Sequence, residues 1–164
     1  MRHFPIDRRQ LLVGLGAGVA LPALSACGAE PVQAKDYPYS LSDAQWRQRL
    51  GKARYHILRE AGTEPRFTSE LLHEKRKGTF ICAGCESAVY SSATKYDSGT
   101  GWPSFWKALP GAVDTSTDTT FGMVRTEVHC ATCGGHLGHI FGDGPKPTGQ
   151  RHCINGLALE FRAA

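Results

Sequence analysis

Cys130-Ala131-Thr132-Cys133-Gly134-Gly135-His136-Leu137-Gly138-His139-Ile140-Phe141 decides how the rest of the chain is read. Its CxxC opening repeats an earlier one, Cys82-Ala83-Gly84-Cys85, with 44 residues between them. Each CxxC turn brings its two sulfurs to one side, so the pair can supply four thiolates to a single tetrahedral ion. Zinc suits a closed all-sulfur site; iron can take similar geometry, and two disulfides are the alternative in an exported chain. Structural zinc on Cys82, Cys85, Cys130 and Cys133 is the expectation, because paired CxxC is the stronger signal and a chain exported already folded loads its metal in a reducing compartment. Four sulfurs leave no position for water or substrate, so the ion joins distant hairpins and does no chemistry of its own.

Downstream, Gly149-Gln150-Arg151-His152-Cys153-Ile154-Asn155 carries a cysteine outside both turns. Such a thiol is buried and inert, paired between molecules, or reactive. Arg151 and His152 place positive charge beside it in sequence, and His136 and His139 lie on a glycine-rich segment able to fold back. These surroundings are expected to lower the thiol pKa and favour the attacking thiolate.

Nineteen glycines and nine prolines punctuate short apolar runs, which favours turn-rich β structure in a single domain. The formal charge of +4 is small for 164 residues, so composition gives no nucleic-acid footprint. Near the start, Arg2, Arg8 and Arg9 precede an apolar stretch from Leu11 to Ala26, too short and glycine-rich for a comfortable membrane span. It reads as an export signal over residues 1–26. Asp7-Arg8-Arg9-Gln10-Leu11-Leu12 resembles a twin-arginine signal, with Asp7 in place of Ser or Thr, and Leu24-Ser25-Ala26-Cys27 resembles a lipobox. Cys27 is then the lipid anchor of a periplasmic, membrane-attached protein; ordinary cleavage nearby or an uncleaved apolar tail is the alternative.

Residues 27–40 read as a linker, and residues 41–164 as the folded domain. Ser42-Asp43-Ala44-Gln45 has capping-box spacing, Gly51 is a plausible stop, and Tyr55 and Leu58 could carry helix to Glu60. Thr68 or Ser69 could cap a second short helix through Lys75. Strands are expected at Thr79–Cys82, Ser87–Tyr90, Phe121–His129 and Leu157–Phe161.

Taken together, Cys82-Ala83-Gly84-Cys85, Lys95-Tyr96-Asp97-Ser98-Gly99-Thr100-Gly101-Trp102-Pro103-Ser104-Phe105, Gly135-His136-Leu137-Gly138-His139-Ile140-Phe141 and Arg151-His152-Cys153-Ile154-Asn155 resemble the methionine sulfoxide reductase B family, in order, from about Leu41 to Phe161. The resemblance implies a mainly β fold of two small twisted antiparallel sheets with a helical lead-in, stapled by zinc. It also implies reduction of the R epimer of protein-bound methionine sulfoxide in oxidised proteins or peptides. Carried over, Cys153 is the nucleophile and becomes a sulfenic acid. His139 is the acid that protonates the leaving oxygen, and His136 assists or orients it. Trp102 and Phe141 take the substrate methyl group, while Arg151 and Asn155 fix the substrate oxygen, the histidines or the thiolate.

Thr100 stands where many members carry a resolving cysteine, so an external thiol or thioredoxin-like donor is expected to reduce the sulfenic acid. His152 replaces a usual Tyr or Phe, and Gly156 a usual Ser. A zinc-stapled interaction module with an inert Cys153, or a cysteine hydrolase, are the competing readings. A monomer is expected.

Overall fold

The computed structural model describes residues 36–164. The expected export signal, Cys27 and most of the expected linker lie outside the described residues. The linker's last residues are packed down: the Tyr39 N–H donates to the Thr132 carbonyl, and the Tyr39 ring meets Trp46 edge-on at 5.7 Å.

Helix α1 (Asp43–Glu60) starts as its sequence dictates. The Ser42 hydroxyl accepts from the Gln45 N–H, and the Gln45 side chain accepts from the Ser42 N–H at 2.9 Å. Gly51 kinks the helix instead of ending it, with φ 64 and ψ 175, a conformation glycine reaches without steric cost. The inward stripe of α1 buries Trp46, Leu50, Tyr55, Ile57 and Leu58. No second helix follows. Ser69 caps one 3-10 turn, Glu70–Leu72, because the next five residues, His73 to Lys77, offer no apolar side chain to bury.

Strands β1 (Gly78–Cys82), β2 (Ala88–Ser91) and β9 (Leu159–Ala163) form one sheet in the order β2-β1-β9. The second sheet contains β3 (Lys95–Tyr96), β4 (Ser104–Phe105), β5 (Val113–Asp118), β6 (Arg125–Cys130), β7 (His136–Phe141) and β8 (Arg151–Ile154), ordered β3-β4-β8-β7-β6-β5. Every pairing in both sheets is antiparallel. Two expected strands begin later than their sequences suggest: 3-10 turns at Thr120–Gly122 and Gly156–Ala158 delay β6 to Arg125 and β9 to Leu159.

Aromatic side chains join the sheets. Tyr90 stacks on Phe105 at 4.3 Å, Phe105 meets the edge of Phe80 at 5.0 Å, and Phe80 leans on Phe161 at 5.1 Å. Such pairs are worth about 0.5–1.5 kcal/mol each beyond the area they bury.

Candidate active site and metal centre

The two CxxC turns meet at the ends of β1 and β6. Cys82 Sγ lies 3.7 Å from Cys133 Sγ and Cys85 Sγ 3.6 Å from Cys130 Sγ, and all four sulfurs fall within 4.8 Å of one another. A disulfide needs about 2.05 Å, so no bridge joins them. Bonds of about 2.3 Å to a central ion set tetrahedral S···S edges of roughly 3.8 Å, close to the spacings found. The four cysteines are therefore placed to hold one metal ion. Hydrogen bonding among the sulfurs drives the Cys82 and Cys133 thiols up and Cys85 and Cys130 down, the mixed state expected of four thiols crowded together. A divalent cation supplies the charge that lets all four ionise.

The second site lies on the six-stranded sheet. Pairing registers place Ser104 opposite Cys153, Cys153 opposite His139, His139 opposite Glu127 and Glu127 opposite Ser116. Cross-strand partners share a face, so one row runs Ser104, Cys153, His139, Glu127, Ser116. Gly138 permits the close approach at its centre: a Cβ there would lie 2.1 Å from the Cys153 carbonyl oxygen. A cleft of about 130 Å³ opens over Cys153, lined by Thr63, Trp102, Arg125, Gly138, His139, Phe141 and Asn155. That is near the roughly 150 Å³ that admits a benzene ring. The sequence-predicted Cys153, His139, Trp102, Phe141 and Asn155 are thus together.

Carboxylates from distant segments set the histidines. The Thr120 hydroxyl and N–H, and then His139, hold Asp118 well below the usual carboxylate range. An ionised carboxylate only accepts, so the His139 Nε2, 2.8 Å from Asp118 Oδ2, carries a proton. Arg125 donates to the same oxygen at 2.6 Å. His136 is 3 % exposed, and burial pushes its pKa down against the pull of Glu127. Its Nδ1 lies 2.5 Å from Glu127 Oε1, and its Nε2 finds no hydrogen-bond partner among the described residues. A neutral ring donating to Glu127 through Nδ1 keeps its free lone pair on Nε2.

Arg151 binds Asp143 through two N–H groups, each at 2.9 Å, and its guanidinium covers the Phe141 ring at 4.4 Å. Asn155 is committed to the backbone: its amide oxygen accepts from the Glu64 N–H at 3.0 Å and its NH2 donates to the Leu137 carbonyl at 3.2 Å. Trp102 Nε1 donates to the Glu64 carbonyl at 3.1 Å. Glu64 is 3 % exposed, and its carboxylate accepts from the N–H groups of Gly156 and Leu157 at 2.5 and 2.9 Å. Gly156 leaves room for this: a Cβ there would lie 1.8 Å from the Ser69 hydroxyl.

Two expectations about Cys153 are corrected. Its thiol pKa is raised by burial, against the opposing pull of Thr100, 3.9 Å from the sulfur, and of Arg151. His152 gives no charge to the thiol. Strand alternation turns it to the other face, where Nδ1 lies 3.1 Å from the Tyr90 hydroxyl and burial pushes its pKa down to about 4. The sequence did not point to Glu64, Asp118, Glu127 or Asp143; for Glu127 the available signal was a carboxylate on the expected Phe121–His129 strand, which the following His136–His139 segment could fold back to face.

Residues 50–163 match the SelR domain. The chain is 49% identical over 128 residues to a peptide methionine sulfoxide reductase MsrB of Leptospira interrogans, an alignment covering 77% of this chain and 98% of that relative. Proteins of the same name from Agrobacterium fabrum and Thiobacillus denitrificans are each 54% identical over 121 residues, 73% of this chain and 90% and 92% of theirs. The matched span takes in the four-cysteine cluster and the whole Cys153 row, so the chain belongs to the SelR domain family, that of the methionine sulfoxide reductases B.

Proposed function

We propose that this protein reduces the R epimer of protein-bound methionine sulfoxide, with Cys153 as nucleophile. The observation that carries the reading is the register of His139 opposite Cys153, with Asp118 behind the histidine and Trp102 and Phe141 walling the same cleft. An apolar methyl and a polar sulfoxide group need that mixture of ring surface and proton donor.

The raised thiol pKa fits the stoichiometry. A thiol and a sulfoxide sum to a thioether and a sulfenic acid, so the proton leaving Cys153 is the one the departing oxygen needs. His139 relays it. Its Nδ1 takes the thiol proton as the sulfur attacks, Asp118 stabilises the resulting imidazolium, and Nδ1 returns the proton to the substrate oxygen. The bond from Cys153 to the substrate sulfur then breaks as oxygen ends on Cys153; methionine is reduced by two electrons and the cysteine oxidised by two. Neutral His136 offers Nε2 as an acceptor beside this relay. Arg151, braced by Asp143, holds the Phe141 ring over the cleft, and Asn155 ties the cleft floor to the Glu64 segment.

Zinc is the ion assigned to the four cysteines, where it joins the ends of β1 and β6 and supplies folding energy alone. The other free cysteines among the described residues are those four, so an external thiol or thioredoxin-like donor restores Cys153. Arg8-Arg9 and the Leu24–Cys27 segment support export and lipid anchoring at the periplasmic side of the membrane. The reaction is tested by steady-state turnover with dithiothreitol on one peptide carrying separated R or S methionine sulfoxide. Consumption of R alone is expected; equal consumption, or S alone, overturns the assignment.

A further inference from the structure

A second cleft lies on the other side of Cys153. It has a volume of about 370 Å³ and is lined by Tyr96, Asp97, Ser98, Thr100, Asp143, Gly144, Pro145 and Arg151. It shares no lining residue with the cleft of Trp102 and His139. The Arg151–Phe141 stack divides the two, since Arg151 lines one and Phe141 the other. Along the sheet, Tyr96 pairs with Ser104 and Ser104 with Cys153, whereas His139 pairs with Cys153 from the opposite neighbour. Cys153 therefore sits between the two openings.

The second cleft reaches the sulfur through Thr100, whose hydroxyl is 3.9 Å from Cys153 Sγ. Ser98 bonds Thr100 at 2.8 Å and Ser104 at 2.7 Å, which fixes that hydroxyl. The Tyr96 hydroxyl finds no hydrogen-bond partner among the described residues, an unusual state for a buried polar atom. None of these groups has a part in the attack on the sulfoxide.

We propose that this cleft is the entry for the reducing thiol, and that it favours neutral or cationic thiols over anionic ones. The inference rests on the reductase reading above. After turnover, the new oxygen on Cys153 lies in the His139 cleft. Displacement at a divalent sulfur is in line, so the incoming thiolate must approach from the side away from the leaving oxygen, the side of Thr100 and Tyr96. The S–O bond breaks as the S–S bond forms, and the oxygen leaves as water with a proton that His139 Nδ1 has taken up from solvent, replacing the one the thiol shed to solvent on ionising. A second thiol then attacks the mixed disulfide, releasing Cys153 and the oxidised donor. Of the charged side chains lining the cleft, Arg151 is neutralised by Asp143, which leaves Asp97 to set the field. Its carboxylate already caps the Gly99 N–H at 2.9 Å.

The test begins with Cys153 oxidised by one equivalent of R methionine sulfoxide peptide. The rate at which cysteamine, 2-mercaptoethanol and 2-mercaptoethanesulfonate reduce it is followed by stopped flow. Each rate is divided by that thiol's rate with a small disulfide at the same pH, which removes intrinsic nucleophilicity. Cysteamine should exceed the sulfonate by about tenfold at low salt, and less at high salt. Asp97→Asn keeps the turn acceptor and should bring the ratio to about threefold. No charge order, a reversed order, or an order untouched by Asp97→Asn would overturn the cleft assignment. Absence of any initial methionine release would overturn the reductase reading instead, so the two failures are separable.

Discussion

The N–H of Glu64 donates to the side-chain oxygen of Asn155 at 3.0 Å, tying the segment after α1 to the chain two residues beyond Cys153. The same Glu64 receives Trp102 on its carbonyl and the Gly156 and Leu157 N–H groups on its carboxylate. One buried acid thus sets the distance between the candidate nucleophile and the candidate methyl platform. Glu64→Gln replaces one acceptor with an NH2 facing an N–H and should cost about 1–3 kcal/mol. Urea midpoints read this, and kcat/KM should fall with it, because the Glu64 backbone that holds Trp102 loses one of its two ties to the Gly156–Leu157 segment.

Asp118→Asn removes the charge that fixes the His139 tautomer and supports its imidazolium. The rate of methionine release in a single turnover should drop about 10²-fold or more, whereas peptide affinity should change little. Rapid-quench kinetics separate the two. An unchanged release rate would remove Asp118 from the relay.

His152 makes a pH-dependent contribution to stability. Its pKa in the fold, about 4, lies below the unfolded value near 6.5, so between those limits the unfolded chain binds the extra proton. Stability is full above pH 6.5 and declines as pH falls toward 4, by up to about 3 kcal/mol from this group. His152→Phe should flatten that limb of the melting-temperature profile, at a cost near 1 kcal/mol at pH 7 for the stranded Tyr90 hydroxyl.

The metal centre and the nucleophile should separate by substitution. Cys130→Ser leaves three sulfurs and should lose both the ion and the fold, read by bound zinc and circular dichroism. Cys153→Ser should keep one zinc per chain and an unchanged spectrum while losing turnover.

Much of the fold and the site was legible because it is written in contiguous residues. The Ser42–Gln45 cap, the two CxxC turns and Gly135–Phe141 each announce their geometry locally. The carboxylates were not legible, because Asp118 and Glu127 reach the histidines only through the β5-β6-β7 register, and Glu64 through the packing of a loop. Sequence adjacency also misled at His152, where the pleat of β8 sends neighbouring side chains to opposite faces. Burial of Cys153 could not be read from its basic neighbours, and it outweighs them.

A single turnover without reductant, in the presence of dimedone and followed by intact mass and peptide mapping, reads both the released methionine and the oxidised cysteine. One methionine per chain should be released from the R epimer, with one dimedone adduct on Cys153. Methionine release by the Cys153→Ser protein, or an adduct confined to Cys82, Cys85, Cys130 or Cys133, would contradict it.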